Sequence, residues 1–118
     1  MCTNSTLNGK YGFYRTGTAM PGPSHLAAAG FMVFDGLGGF TAYQNASNDG
    51  VYVPNSESAG FYHVYHNCRF ILSMHPYSDD PIDLTQIKTV GVIVDGGKEL
   101  FALATDPHRT ALFIAKKM

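Results

Sequence analysis

Residues 87–116 read IKTVGVIVDGGKELFALATDPHRTALFIAK, and this stretch decides the fold. Three runs rich in Val, Ile, Leu and Phe are separated by two turn signals, DGGK at 95–98 and DPH at 106–108. Short apolar runs bounded by Asp, Gly and Pro are typical of antiparallel strands joined by tight turns. This part of the sequence therefore predicts three consecutive strands, at 87–94, 99–105 and 109–116.

The rest of the chain repeats this organisation. Turn signals at 35–39 and 48–50 divide further runs rich in aromatic and β-branched residues, and no stretch has the periodicity of a long helix. The 118 residues therefore predict a single domain with eight or nine short strands. The expected fold is all-β, a closed, antiparallel, mostly up-and-down barrel. Residues 1–7 are expected to form a mobile tail, and 83–86 to be loop or a single helical turn. The earlier strands are expected at 10–17, 27–34, 40–45, 51–53, 60–65 and 68–74.

Composition excludes some classes of partner. The formal net charge is -1, and 14% of the residues are charged, against roughly 25% in ordinary domains. Lys and Arg are scattered, so no nucleic-acid surface is expected. No apolar run is long enough to span a membrane and no signal peptide is recognisable, so we expect a cytoplasmic protein that does not bind membranes. Cys2 and Cys68 are accordingly expected to be reduced thiols, the alternative being a structural disulfide between them.

The last three strands are apolar on both faces. A strand with one face in water alternates apolar and polar residues, and the runs at 92–94, 101–104 and 111–114 do not. One face fills the barrel, and no long helix exists to cover the other. We therefore expect a homo-oligomer, either a dimer or a trimer, in which a neighbouring subunit covers this face.

Three segments carry a resemblance to a known group of proteins. Asn8-Gly9-Lys10-Tyr11 stands where lipocalins have Gly-x-Trp, with tyrosine in place of tryptophan, and the chain has no tryptophan. FDGLG at 34–38 and VDGGKE at 94–99 are similar to segments of small uncharacterised bacterial calycin-like proteins. Over most of its length the chain resembles the calycin group of eight-stranded barrels, which includes lipocalins and allene oxide cyclase-like barrels. The resemblance implies binding of apolar small molecules and, in a few members, their cofactor-free cyclisation or isomerisation.

Strand parity indicates which side chains share a face, because residues two apart point to the same side of a sheet. Tyr11, Phe13 and Arg15 share one face of the first strand, and the two aromatic residues predict that this face points inward. A guanidinium inside a barrel needs several acceptors. The alternative places Arg15 at the rim beside a surface carboxylate.

A second set of candidates lies in the central hairpin. Phe61, His63 and Tyr65 share a face that is expected to line the same interior; in the alternative, Tyr62 points inward and His63 lies on the surface. The spacing of His63 and His66 would suit a metal on a helix, but on a strand the two side chains point apart, so no metal site is predicted.

The strand after this hairpin carries two further candidates. Arg69 and His75 lie on a mixed face that fits either a cavity wall or a solvated outer surface. His75 directly precedes the Pro76–Pro81 loop, which is expected to lie at the mouth of the barrel.

These observations predict a function in the barrel interior. Eight Phe and seven Tyr with few polar residues on any face indicate binding of an apolar or aromatic small molecule. The alternative is a cofactor-independent isomerase, cyclase or lyase, and a second alternative is a structural or assembly protein. No cofactor is expected. The expected catalytic residues are Arg15, His63 and Tyr65, and the expected ligand-binding residues are Tyr11, Phe13, Phe61, Arg69 and His75.

Overall fold

The structure, a computed structural model, describes residues 1–19, 23–75, 87–105 and 109–118. Within these ranges eight antiparallel strands form a closed barrel in which each strand pairs with the next and β8 pairs with β1. The predicted all-β, up-and-down barrel is confirmed. Short 3₁₀ turns occupy Asn4–Thr6 and Asp95–Gly97. The strands are β1 Asn8–Ala19, β2 Ser24–Asp35, β3 Gly39–Asn48, β4 Val51–Val64, β5 Arg69–His75, β6 Ile87–Val94, β7 Glu99–Ala104 and β8 Arg109–Lys117.

The predicted strands at 51–53 and 60–65 are two ends of one strand, β4, so the barrel has eight strands rather than nine. The register between β3 and β4 shifts between Gln44 and Ala46. Two residues of β4, Pro54 and Asn55, oppose the single residue Asn45 there, which is a β-bulge. The backbone N–H of Asn55 donates to Asn45 Oδ1 at 3.0 Å. The bulge absorbs the proline without ending the strand.

The predicted hairpin turns at 35–39 and 95–98 are both confirmed. In the first, Asp35 Oδ1 accepts hydrogen bonds from the amides of Leu37 at 2.7 Å and Gly39 at 3.0 Å. Backbone hydrogen bonds from Gly39 and Leu37 lower the pKa of Asp35, because they favour the ionised carboxylate. The predicted helical turn at 83–86, the loop at 76–81 and the turn at 106–108 lie outside the described residues.

Glycines on the inner face allow the strands to coil tightly enough to close the barrel. A Cβ atom at Gly30 would lie 1.9 Å from the Tyr43 carbonyl oxygen, and one at Gly60 would lie 2.0 Å from the Ser73 carbonyl oxygen. Only glycine permits so close an approach of the neighbouring strand.

The N-terminal segment closes one end of the barrel, which we call the sealed end. Leu7 is fully buried in the core, and the Val64 amide donates to Asn4 Oδ1 at 2.8 Å. Cys2 forms a disulfide with Cys68, with the two Cα atoms 5.1 Å apart. The expectations of a mobile tail and of reduced thiols are therefore wrong. Residues far apart in the sequence meet here because both precede strands that start at this end.

Candidate functional site

The inner face of β1 is the face that the sequence predicts. Tyr11 and Phe13 are buried, whereas Tyr14, which follows Phe13, is half exposed on the outer face. Arg15 shares the parity of the two buried aromatic residues and is itself partly buried. Its guanidinium Nη2 donates to Gln44 Oε1 at 3.3 Å. Arg15 therefore contributes a positive charge to the barrel interior.

The inner face of β4 is the opposite of the one predicted. Tyr62 and Val64 are buried, whereas Phe61 is 66% exposed and His63 and Tyr65 also face outward. The expectation that Phe61, His63 and Tyr65 line the interior is wrong, and the alternative with Tyr62 inside holds.

The N-terminal segment provides the physical reason. The hydroxyl of Tyr62 lies 2.9 Å from the carbonyl oxygens of Asn4 and Leu7, so burying this ring leaves its polar group hydrogen-bonded. The ring of Tyr62 also meets that of Phe34 edge to face, with centroids 5.1 Å apart. Phe61, which has the opposite parity to Tyr62, therefore lies on the outer face.

Arg69 also lies on the outer face. In β5 Phe70 and Leu72 are buried and Arg69 and Ile71 are exposed, so the mixed face of this strand is the outer one. His75 is the last residue of β5, and its side chain lies outside the described residues. The structure thus brings Arg15, Tyr11 and Phe13 together on the inside, and separates them by the barrel wall from His63, Tyr65, Phe61 and Arg69.

The half of the interior next to the sealed end is packed with large side chains. Tyr11 and Phe34 meet edge to face, with ring centroids 5.3 Å apart, and the Tyr11 hydroxyl donates to the Gly97 carbonyl oxygen. Burial raises the pKa of both Tyr11 and Tyr62, so these hydroxyls remain protonated donors. The large inward residues are Leu7, Tyr11, Phe13, Met32, Phe34, Phe40, Tyr62, Val64, Phe70, Leu72, Ile93, Leu100 and Phe113.

The other half of the interior has a different lining, and we call it the Arg15 section. Arg15 is the largest described side chain that points into it, and apart from Leu26 and Gln44 the other described inward residues are small, with hydroxyl groups among them. Sequence reasoning missed these polar residues, although the parity that places Tyr62 inside also places Ser58 and Ser56 inside. The section comprises Arg15, Gly17, Leu26, Ala28, Gly30, Gln44, Ala46, Ser56, Ser58, Thr89, Ala104 and Ala111.

This lining suits recognition of an anion. A guanidinium is charged at all physiological pH values, and its planar array of donors matches a carboxylate or a similar oxyanion. Across the described ranges, no group of three His, Cys, Asp or Glu side chains could hold a metal ion. The roles of the predicted site residues in binding or catalysis stay predictions.

Comparisons with protein-family models, with curated proteins and with solved structures found no significant match to this chain. In the part of the chain that the structure describes, the helices are too short to cross a bilayer.

Proposed function

We propose that this barrel binds a small apolar or aromatic molecule that carries an anionic group, and that the molecule lies in the Arg15 section. The observation that carries the proposal is the division of the interior. Among the described residues, one half is packed with aromatic and large aliphatic side chains, and the other combines the Arg15 guanidinium with mostly short side chains.

Side-chain size favours a ligand in this half. The interior of an eight-stranded barrel is just wide enough to be filled by its own side chains or to hold one small ligand. Phe and Tyr fill the sealed half. The described Ala, Gly and Ser side chains of the Arg15 section are much shorter than the rings of the sealed half.

The chemistry of Arg15 defines the anionic part of the ligand. Its guanidinium has five donors, and the contact with Gln44 involves one of its nitrogens. Two parallel hydrogen bonds from a guanidinium to a carboxylate or sulfonate are strong and geometrically specific. Phe13 and Phe113, whose ring centroids are 5.3 Å apart, would provide the apolar floor beneath the ligand.

The enzymatic alternative is less well supported. A cofactor-free isomerase, cyclase or lyase would need a base close to Arg15, and His63 and Tyr65 lie on the outer face. Membership of the calycin group is a proposal supported by the closed, up-and-down, eight-stranded barrel.

The disulfide bears on where the protein acts. Stable disulfides are typical of secreted and periplasmic proteins and are rare in the reducing cytosol. The Cys2–Cys68 bond therefore favours an oxidising compartment over the cytoplasmic location that the sequence predicts.

Two fluorescent probes test the binding proposal: the aromatic sulfonate 1-anilinonaphthalene-8-sulfonate and its uncharged analogue N-phenyl-1-naphthylamine. We expect the Arg15→Met variant to lose roughly tenfold or more in affinity for the sulfonate, because hydrogen bonds to a charged group are lost. Its affinity for the uncharged probe should be unchanged.

The matched control is Arg69→Met, the same substitution on the outer side of the wall. It should leave the affinity for both probes unchanged. If Arg69→Met weakens sulfonate binding and Arg15→Met does not, the ligand site is on the outer face and the proposal is wrong.

A further inference from the structure

The outer surface of β5–β8 carries an apolar patch that the proposed function does not use. The strand register aligns its outward residues in two rows across the four strands, which we call the two-row face. The rows are Arg69, Val92, Phe101 and Ile114, and Ile71, Val90, Leu103 and Leu112. Seven of these eight residues are apolar, which is unusual for a sheet face in water.

These side chains are accessible. Leu103 is 53% exposed and Leu112 is 47% exposed, and Ile71, Val92 and Phe101 are each at least 40% exposed. A groove of about 330 Å³ runs between Arg69 and Leu112 over the small residues Gly91 and Ala102. The face therefore combines projecting side chains with a concave strip.

We propose that a second copy of this chain packs on the two-row face. The five exposed apolar residues leave on the order of 400 Å² of surface in water. That is about half of the roughly 800 Å² that each partner of a standard interface buries, and interfaces commonly consist of such an apolar core within a polar rim.

Groups suited to a polar rim border the face on both sides. Glu99 and Lys116 lie beside it towards the sealed end, with their charged groups 4.0 Å apart. At the side away from the sealed end, the next outward residues after Ile71 in β5 and Leu112 in β8 are Ser73 and Thr110. An apolar core between these groups has the layout of a protein interface.

The charge distribution favours a copy of the same chain over a charged partner. In a two-fold dimer a patch near the axis faces itself, so a charge at the centre would repel its own copy. The single charged residue of the two-row face, Arg69, lies at one corner. A two-fold axis that lies in the interface and runs along the strands through the centre of the face would place the two Arg69 residues at opposite ends of the row, roughly three strand spacings or about 14 Å apart. At this distance physiological salt screens most of their repulsion.

The test is the mass of the oxidised, full-length protein by sedimentation at micromolar concentration. We expect twice the mass of the chain for the wild type and the mass of one chain for Leu103→Glu. Two copies of a carboxylate buried in an apolar interface should raise the dissociation constant at least roughly 100-fold. Leu112→Lys is a second variant with the same expectation, and circular dichroism checks that each variant is folded.

The matched control is Val33→Glu, because Val33 is an exposed apolar residue on the outer face of β2, outside the two-row face. It should retain the dimer mass. A monomeric wild type would overturn the proposal, and so would a dimer that survives both Leu103→Glu and Leu112→Lys. A wild-type monomer that sediments with phosphatidylcholine vesicles would assign the face to a lipid surface and would also overturn it.

Discussion

Removal of the Cys2–Cys68 cross-link should cost this barrel much of its stability. The bond joins residues that are 66 positions apart, so it closes a loop of more than half the chain. In the chain-entropy description, a cross-link that closes a loop of this length lowers the conformational entropy of the unfolded state, which stabilises the fold by about 4 kcal/mol at 25 °C. For a domain of this size, loss of that stabilisation corresponds to a fall of roughly 15 °C in Tm.

The barrel should nevertheless stay folded at room temperature. Leu7 is buried, and the Tyr62 hydroxyl meets the carbonyl oxygens of Asn4 and Leu7. Neither contact involves a cysteine, so we expect both to persist without the cross-link. The assay is urea unfolding of the oxidised wild type, the reduced wild type and a Cys2→Ala, Cys68→Ala double variant. The reduced wild type keeps every side chain, so its difference from the oxidised protein measures the cross-link alone.

A specific result would refute this reasoning. If the free energies of unfolding of oxidised and reduced protein differ by less than about 1 kcal/mol, the cross-link does not restrict the unfolded chain as the loop length requires. Two titratable thiols in the oxidised protein would contradict the bond itself. The affinity of the Arg15 section for the sulfonate probe should not change on reduction, because the disulfide lies at the other end of the barrel.

Two further predictions concern acid stability and the oxidation state in cells. The folded state lowers the pKa of Asp35 from its ordinary value of 3.8, so this group's contribution to stability is complete above that value and is lost as the pH falls through the lowered pKa. As the pH is lowered from neutral to strongly acidic, the urea midpoint should fall less for Asp35→Asn than for the wild type. If the midpoints of both proteins fall equally with pH, the ionised Asp35 carboxylate does not stabilise the turn. Alkylation of the protein in intact cells before lysis should find no free thiol, since both cysteines are in the disulfide; two modified cysteines would support the cytoplasmic location instead.

Sequence patterns predicted the inner face of β1 and failed on β4 for an identifiable reason. In β1 the aromatic residues Tyr11 and Phe13 share one parity with Arg15, although Tyr14 has the other. From residue 61 to residue 65 both parities carry aromatic residues, Phe61 and Tyr65 on one and Tyr62 on the other. Parity groups residues but does not choose a face when both are aromatic.

The choice on β4 depends on a contact that is distant in the sequence. Tyr62 is inside because its hydroxyl reaches the backbone of Asn4 and Leu7. A prediction that treats residues 1–7 as a mobile tail cannot include this contact, and the same error hides the disulfide. The polar lining of the Arg15 section follows from the same choice, since Ser56 and Ser58 share the parity of Tyr62.

The seal formed by the N-terminal segment has a consequence for how this barrel can evolve. The sealed half contains the cross-link, the aromatic core and the buried tyrosine hydroxyls, so the interactions that hold the fold together are concentrated at one end. Small inward residues at the other end contribute little of that packing. Mutations there should cost little stability, so if the section binds a ligand as proposed, natural selection is free to change that ligand while the scaffold stays the same.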